Sequence, residues 1–288
     1  MAINRETVLS EAGIGDDMLI TEDIVASTNL LALSLGAAGA KNGTAVMAGA
    51  QTAGRGRKGR SFWSPESSGM YLSIVVRPEN ASGTLNRFKD VSNLSSFLTA
   101  SAGVCTAGAI DELFNSGAKL KWVNDVIIGG RKAGGILVEG VFEGGSFSHA
   151  AVGIGVNIYC PASGFPGDIR EKAGAVFPDK SAAPGFGPYA SERLAGRIIK
   201  KFSLISGQYF SEPDDAVKSV YDDYYKRIEW MIGTEIIVND LSGTGLYGAR
   251  VNGLDRDFGL IVSLESGKTL VLKTGEVSIR PKVVLTDK

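Results

Sequence analysis

The sequence predicts an α+β protein in which helices pack on one side of a mixed, largely antiparallel sheet, with a small SH3-like β-barrel at the C-terminal end. Apolar segments between residues 120 and 158 follow one another through turns too tight for helical crossovers, which requires antiparallel neighbours. Long stretches elsewhere repeat apolar residues at three- and four-residue steps, the mark of helices with one buried face. After Trp230 the pattern changes to short strand-like segments separated by turn residues. The expected division is therefore residues 1–230 and 231–288.

MLITEDI reads as the first strand, and Ser27 or Thr28 then caps a helix through LLALSLGAAGA. TAVMAGA, the second strand, delivers the chain to Gln51 and a loop rich in glycine and arginine. GMYLSIVVRP alternates Leu72, Ile74 and Val76 with Tyr71, Ser73 and Val75, which predicts a half-buried strand ending at Pro78. From Asn86 to Phe114, the residues Leu94, Leu98, Ala102, Cys105, Ala109 and Leu113 mark the buried stripe of one or two helices. LKWV, GGILVEGVF and SHAAVGIGVNI are further strands, the last two joined as a hairpin through EGGSF.

Residues 160–188 hold five of the nine prolines and show no clean periodicity; loops of this length are functional or disordered. Two helices follow, faced by Leu194, Ile198, Phe202 and Ile205 and by Val217, Val220, Tyr221 and Tyr224. TEIIVND, LYGARVNGL, GLIVSLES, KTLVLKT and EVSIRP are the expected barrel strands, and they carry no chemical motif.

With 30 basic and 31 acidic side chains the formal net charge is −1, which argues against a partner chosen by bulk charge, such as nucleic acid or an anionic membrane. The N-terminus lacks an apolar signal region, and no apolar run approaches the roughly 18 residues of a membrane span, so a cytoplasmic protein is expected. Cys105 and Cys160 fall outside any C-x-x-C spacing and read as small buried hydrophobes, while His149, the one histidine, excludes a His-rich metal site.

GRGRKG, residues 54–59, fits the G-x-G-x-x-G letters of a dinucleotide-binding turn and, with Arg60 and Ser61, approaches a phosphate-binding P-loop. Both motifs must open a helix, and the following RSFWSPESSG, with Pro65, does not read as one. What remains is a concentration of Arg55, Arg57, Lys58 and Arg60 interleaved with glycines, which brings forked donors and backbone close to a polyanion. A solvated basic tip, or an arginine-glycine segment for RNA with Phe62 and Trp63 as stacking aromatics, fits the same residues.

LKWVND, residues 120–125, precedes GGRKAGG at 129–135. Asn124 and Asp125 are expected to end one strand, and Lys132 to open the next after a Gly-Gly turn. An amide, a carboxylate and an ammonium then surround one pocket, with Gly134 and Gly135 leaving space beside the lysine. A surface hairpin carrying an ion pair is the alternative.

Taken together, STN at 27–29, AGAQTAGRGRKGR at 48–60, KWVND at 121–125, GRKAGGILVE at 130–139 and GIGVNI at 153–158 resemble the biotin protein ligase family. The resemblance is ordered along the chain and extends in architecture through the C-terminal barrel. It implies a ligase that couples biotin to ATP, accompanied by Mg2+, to give biotinyl-5'-AMP. A biotin carboxyl carrier protein or domain then receives the biotin on a lysine.

The resemblance also implies roles. Arg57 and Lys132 would stabilise charge developing on phosphorus oxygens, and Arg60 would hold the departing phosphates. Asn124, Asp125 and Asn157 would line the nucleotide side, with Asp125 the magnesium candidate and the acceptor of a proton from the carrier lysine. Ser27, Thr28, Asn29 and Gln51 would meet biotin together with the loop residues Gly54, Arg55, Gly56 and Arg57 and with Lys132 and Gly135. Gly153 and Gly155 would let its flat ring approach a strand. Residues 54–64 and 160–176 are candidate lids that keep water from a labile adenylate.

Two departures from the family stand out. Val123 replaces the proline of K-W-P-N-D, which implies a looser turn, and Phe62 with Trp63 replaces a lone tryptophan after the second arginine pair. The catalytic region begins within about twenty residues of Met1, too short for a helix-turn-helix unit, so operator binding is not expected. A lipoate or octanoate ligase of the same superfamily is the neighbouring activity, and a non-catalytic RNA-binding module is the reading from another class. Monomer and homodimer are both compatible with the sequence.

Overall fold

Seven strands form the larger sheet, in the order β1-β2-β3-β7-β6-β5-β4. They are β1 (Leu19–Val25), β2 (Ala45–Gln51), β3 (Gly69–Val76), β4 (Lys119–Lys121), β5 (Asp125–Ile128), β6 (Arg131–Glu143) and β7 (Ser146–Asn157). β1 pairs with β2 in parallel and every other pair is antiparallel, as the short connections require. The structure is a computed structural model, and it describes residues 3–78, 91–144, 146–182, 189–240, 246–273 and 277–281.

Three long helices cover one face: α3 (Val91–Phe114), α4 (Ala190–Ser211) and α5 (Pro213–Ile228). Their apolar stripes meet Met47, Leu72, Ile74, Val152 and Ile154 in one core. Residues 86–90, which the expected helical stretch included, lie outside the described residues. α3 has the length and apolarity of a membrane span, and its residues Leu94, Leu98, Ala102, Cys105 and Ala109 are buried in this core.

β3 corrects an expectation. Its alternation predicts a half-buried strand, yet from Met70 to Val76 it is buried on both faces, because α2 (Thr28–Ala37) crosses the opposite side and packs Ala32 with Val46, Val75 and Ala151. The helix cap is corrected too. Ser27 holds the N-cap position without a side-chain bond, and Gln51 Oε1 instead accepts from Thr28 N at 2.9 Å, so β2 satisfies the helix terminus. His149 is buried beneath α2 with Nε2 3.1 Å from Leu33 O, a structural role.

An additional helix, α1 (Arg5–Ala12), is capped by Asn4, whose side chain accepts from Thr7 N at 2.9 Å, and it ends at Gly13 with φ 68°. Glu11 fixes it to α4 through Arg193 and Arg197, and Gly196 admits the close approach.

All five expected C-terminal strands form: β8 (Glu235–Asp240), β9 (Leu246–Leu254), β10 (Leu260–Leu264), β11 (Thr269–Leu272) and β12 (Val277–Pro281). They make an antiparallel sheet in the order β11-β10-β9-β8-β12. Val238, Val251, Phe258, Leu260 and Val262 join the main core, so apolar packing is continuous past Met231.

Candidate active site

The KWVND turn is built by contacts from distant parts of the chain. Trp122 Nε1 donates to Phe258 O at 2.8 Å, Trp230 Nε1 to Leu120 O at 2.8 Å, and the buried Tyr224 hydroxyl to Val123 O at 2.9 Å. The looser turn expected from Val123 is therefore not found: Val123 is buried and its carbonyl is held, with the Trp122–Val123 peptide cis. A second correction concerns Asp125, which does not end the preceding strand. The strand stops at Lys121, Asn124 sits in the turn, and Asp125 opens β5 opposite Gly135.

That register brings the expected cluster together. Lys132 Nζ lies 2.6 Å from Asp125 Oδ1, Asn124 Nδ2 donates to Ile136 O at 2.8 Å, and Arg57 Nη1 donates to Asn124 Oδ1 at 3.3 Å. Asn157, at the end of β7, donates through Nδ2 to Gly174 O at 2.9 Å, fixing the segment after Cys160 against the same end of the sheet. Lys132 N and O bind Lys172 O and Gly174 N, each at 2.8 Å, for the same purpose.

The glycine-arginine loop folds as a narrow hairpin with an Arg55–Ser61 bridge, turning through Lys58 at φ 60° and Gly59 at φ 69°. Gly54 is required because a Cβ there would fall on Phe62 O. Arg60 donates through Nε to Arg57 O at 3.4 Å. Burial pushes the Arg57 guanidinium below its ordinary value, Asp125 opposes that shift, and Arg60 adds to it. An arginine nonetheless stays charged, so the site keeps a desolvated cation.

A cavity of about 970 Å³ runs between these elements, lined by Ser27, Thr28, Asn29, Gln51, Arg55, Gly56, Arg57, Arg60, Asn124, Asp125, Lys132, Gly135, Gly153, Gly155 and Asn157. Of the expected site residues only Gly54 lies outside this lining; it works behind the wall, as a close-approach residue. Two polar atoms on the lining, Ser27 Oγ and Arg57 Nη2, are buried without a partner in the protein. Such atoms are costly unless a ligand satisfies them.

Gly153 and Gly155 line the cavity, and the protein's own side chains also stand against them. A Cβ at Gly153 would fall on the Asn29 carboxamide, and one at Gly155 would stand 2.6 Å from the Phe62 ring, so the protein's own side chains use both approaches. Phe62 thereby forms an aromatic wall. Trp63 meets Phe165 edge-on at 6.0 Å, joining the two candidate lids.

Several lining or supporting residues were missed. Ser73 Oγ donates to Asn29 Oδ1 at 2.6 Å, Glu139 accepts from Arg55 and Asn29, and Asp168, Glu171 and Trp230 line the rim. A signal existed for the first two: each is a polar residue inside an otherwise apolar strand. No group of three or more His, Cys, Asp or Glu side chains among the described residues could hold a metal ion.

Residues 22–157 match the Biotin/lipoate A/B protein ligase family. The Bifunctional ligase/repressor BirA of Bacillus subtilis is 30% identical over 254 residues, covering 86% of this chain and 70% of that protein. The Biotin--[acetyl-CoA-carboxylase] ligase of Mycobacterium tuberculosis is 28% identical over 269 residues, covering 88% and 87%. The biotin protein ligase from Aquifex aeolicus, solved with biotin and ATP, superposes with a TM-score of 0.70 over 92% of this chain and 99% of its own, at 24% identity. With the sequence motifs gathered around one cavity, the family match over residues 22–157 and a relative 30% identical over 70% of its length, the chain belongs to the biotin protein ligases of the biotin/lipoate A/B protein ligase family.

Proposed function

We propose that this ligase condenses biotin with ATP and passes the biotinyl group to a lysine of a biotin carboxyl carrier protein or domain. In the first step the biotin carboxylate oxygen attacks the α-phosphorus. The bond to the bridging oxygen breaks, and pyrophosphate leaves. In the second step the lysine nitrogen attacks the acyl carbon, AMP leaves, and Asp125 takes the proton. The convergence of Arg57 and Lys132 on Asn124 and Asp125, with one Arg57 nitrogen unpartnered, carries this reading.

Bringing a carboxylate to a triphosphate sets anion against anion, and two fixed cations in a partly desolvated cavity lower that barrier. Arg60 stands on the same hairpin for the departing phosphates. The buried hydroxyl of Ser27, with Thr28 and Gln51 beside it, offers polar partners for a ureido group, and Phe62 with Leu72 and Ile154 offers apolar wall. This polar end distinguishes biotin from the linear lipoyl or octanoyl chain.

Asp125 is the carboxylate that would meet a magnesium ion brought with the nucleotide, and such an ion would supply charge to offset the phosphates. Biotinylation of a purified carrier domain, followed by intact mass in the presence of biotin and MgATP, tests the full reaction. A single biotinyl addition at one lysine is the expected product, and an unmodified carrier alongside measurable adenylate would contradict the transfer step.

A further inference from the structure

We propose that Glu139 is a positioning residue, whose carboxylate latches the glycine-arginine loop to β6 and fixes the orientation of Asn29 in the pocket wall. Its two oxygens serve two different walls: Oε1 accepts from Arg55 Nη2 at 2.6 Å and Oε2 from Asn29 Nδ2 at 2.9 Å. Asn29 is 3% exposed and accepts from the Ser73 hydroxyl on Oδ1, and turning its amide over would set Oδ1 against the Glu139 carboxylate, acceptor against acceptor.

Backbone hydrogen bonds tie the two arms of the loop together. Gly56 N donates to Arg60 O at 2.7 Å and Phe62 N to Gly54 O at 2.8 Å, so anchoring Arg55 fixes the base of the hairpin, while Arg57 keeps its own bond to Asn124 Oδ1. Among the described ion pairs, Arg55 to Glu139 is the one that ties this hairpin to the sheet. A carboxylate is needed because both partners are donors; a glutamine would point its NH2 at one of them. The geometry of the latch stands on its own, and its kinetic consequence rests on the biotin reading.

Trypsin susceptibility and pyrophosphate–ATP exchange of the full chain test this together. Arg55, Arg57, Lys58 and Arg60 are all trypsin sites, so loop release is read directly. In Glu139→Gln, loop cleavage is expected to quicken about tenfold at an unchanged thermal midpoint, and KM for biotin to rise about tenfold with kcat changed by less than about twofold. Arg55→Ala should raise KM to the same extent, and the double variant should be no worse than either single one. Wild-type loop cleavage in Glu139→Gln, additive effects, or a global destabilisation with every region cleaved alike would overturn the latch. If the wild-type chain exchanges no pyrophosphate with biotin, the ligase reading fails, and loop cleavage still decides the latch.

Discussion

Arg57 donates one terminal nitrogen to Asn124 Oδ1 at 3.3 Å, while its other terminal nitrogen is buried and unpaired within the protein. A guanidinium held on one side and open on the other is preorganised for an oxyanion, with no reorganisation needed as charge develops. Arg57→Ala is expected to slow adenylate formation by about 10²–10³-fold. Arg57→Lys should recover only part of that, since an ammonium lacks the fork. Rapid-quench measurement of adenylate formation at saturating biotin and ATP checks both.

Proton acceptance by Asp125 belongs to the transfer step. Asp125→Asn supplied with preformed biotinyl-5'-AMP should transfer to the carrier about 10²-fold more slowly than wild type. Transfer at the wild-type rate would remove this role while leaving adenylation untouched.

The Tyr224 hydroxyl holds the carbonyl of Val123, beside the catalytic turn. Tyr224→Phe keeps the ring and orphans a buried carbonyl, which should cost about 1–2 kcal/mol in denaturant unfolding. A lowered midpoint with an unchanged m-value is the expected signature.

Gly153→Ala would drive a methyl into the Asn29 carboxamide, which has no room to retreat from Ser73 and Glu139. The expected cost is about 1–3 kcal/mol, together with weaker biotin binding by calorimetry, because Asn29 and Thr28 form the same wall.

Burial pushes the Tyr71 phenol up to about 12, and raises those of Tyr209 and Tyr224 as well. Each folded value lies above the unfolded value of about 10. Their contribution to stability is thus complete below that pH and is lost as pH rises through the folded values. Phenolate absorbance should therefore show these tyrosines protonated at pH 11 while the chain stays folded, then titrating together with unfolding.

Much of this was legible in the sequence, and for identifiable reasons. GGILVEGVF and the hairpin through EGGSF follow from period-two patterning and turn glycines, which are local signals, whereas only Leu120 and Lys121 of LKWV are in a strand. The burial of β3 was not legible, because Tyr71, Ser73 and Val75 look like a wetter face until α2 is laid across them. The strand that Asp125 belongs to is not legible locally, because the turn at 122–124 is held by Phe258, Tyr224 and Trp230, partners more than 100 residues away. α1 went unread although Asn4 and Gly13 mark its ends, since it buries only Val8 and Ala12 and so lacks an apolar period. The motif residues of the cavity were legible because they occur in ordered blocks. Ser73 and Glu139 act through single side chains, and their only mark in the sequence is a polar residue within an apolar run.

Pyrophosphate–ATP exchange, with biotin, lipoate and octanoate supplied separately, tests the central claim most directly, because it reports adenylation without a carrier. We predict exchange with biotin alone, abolished in Arg57→Ala and Lys132→Ala. Exchange driven by lipoate or octanoate in place of biotin, or by none of the three acids, would contradict it.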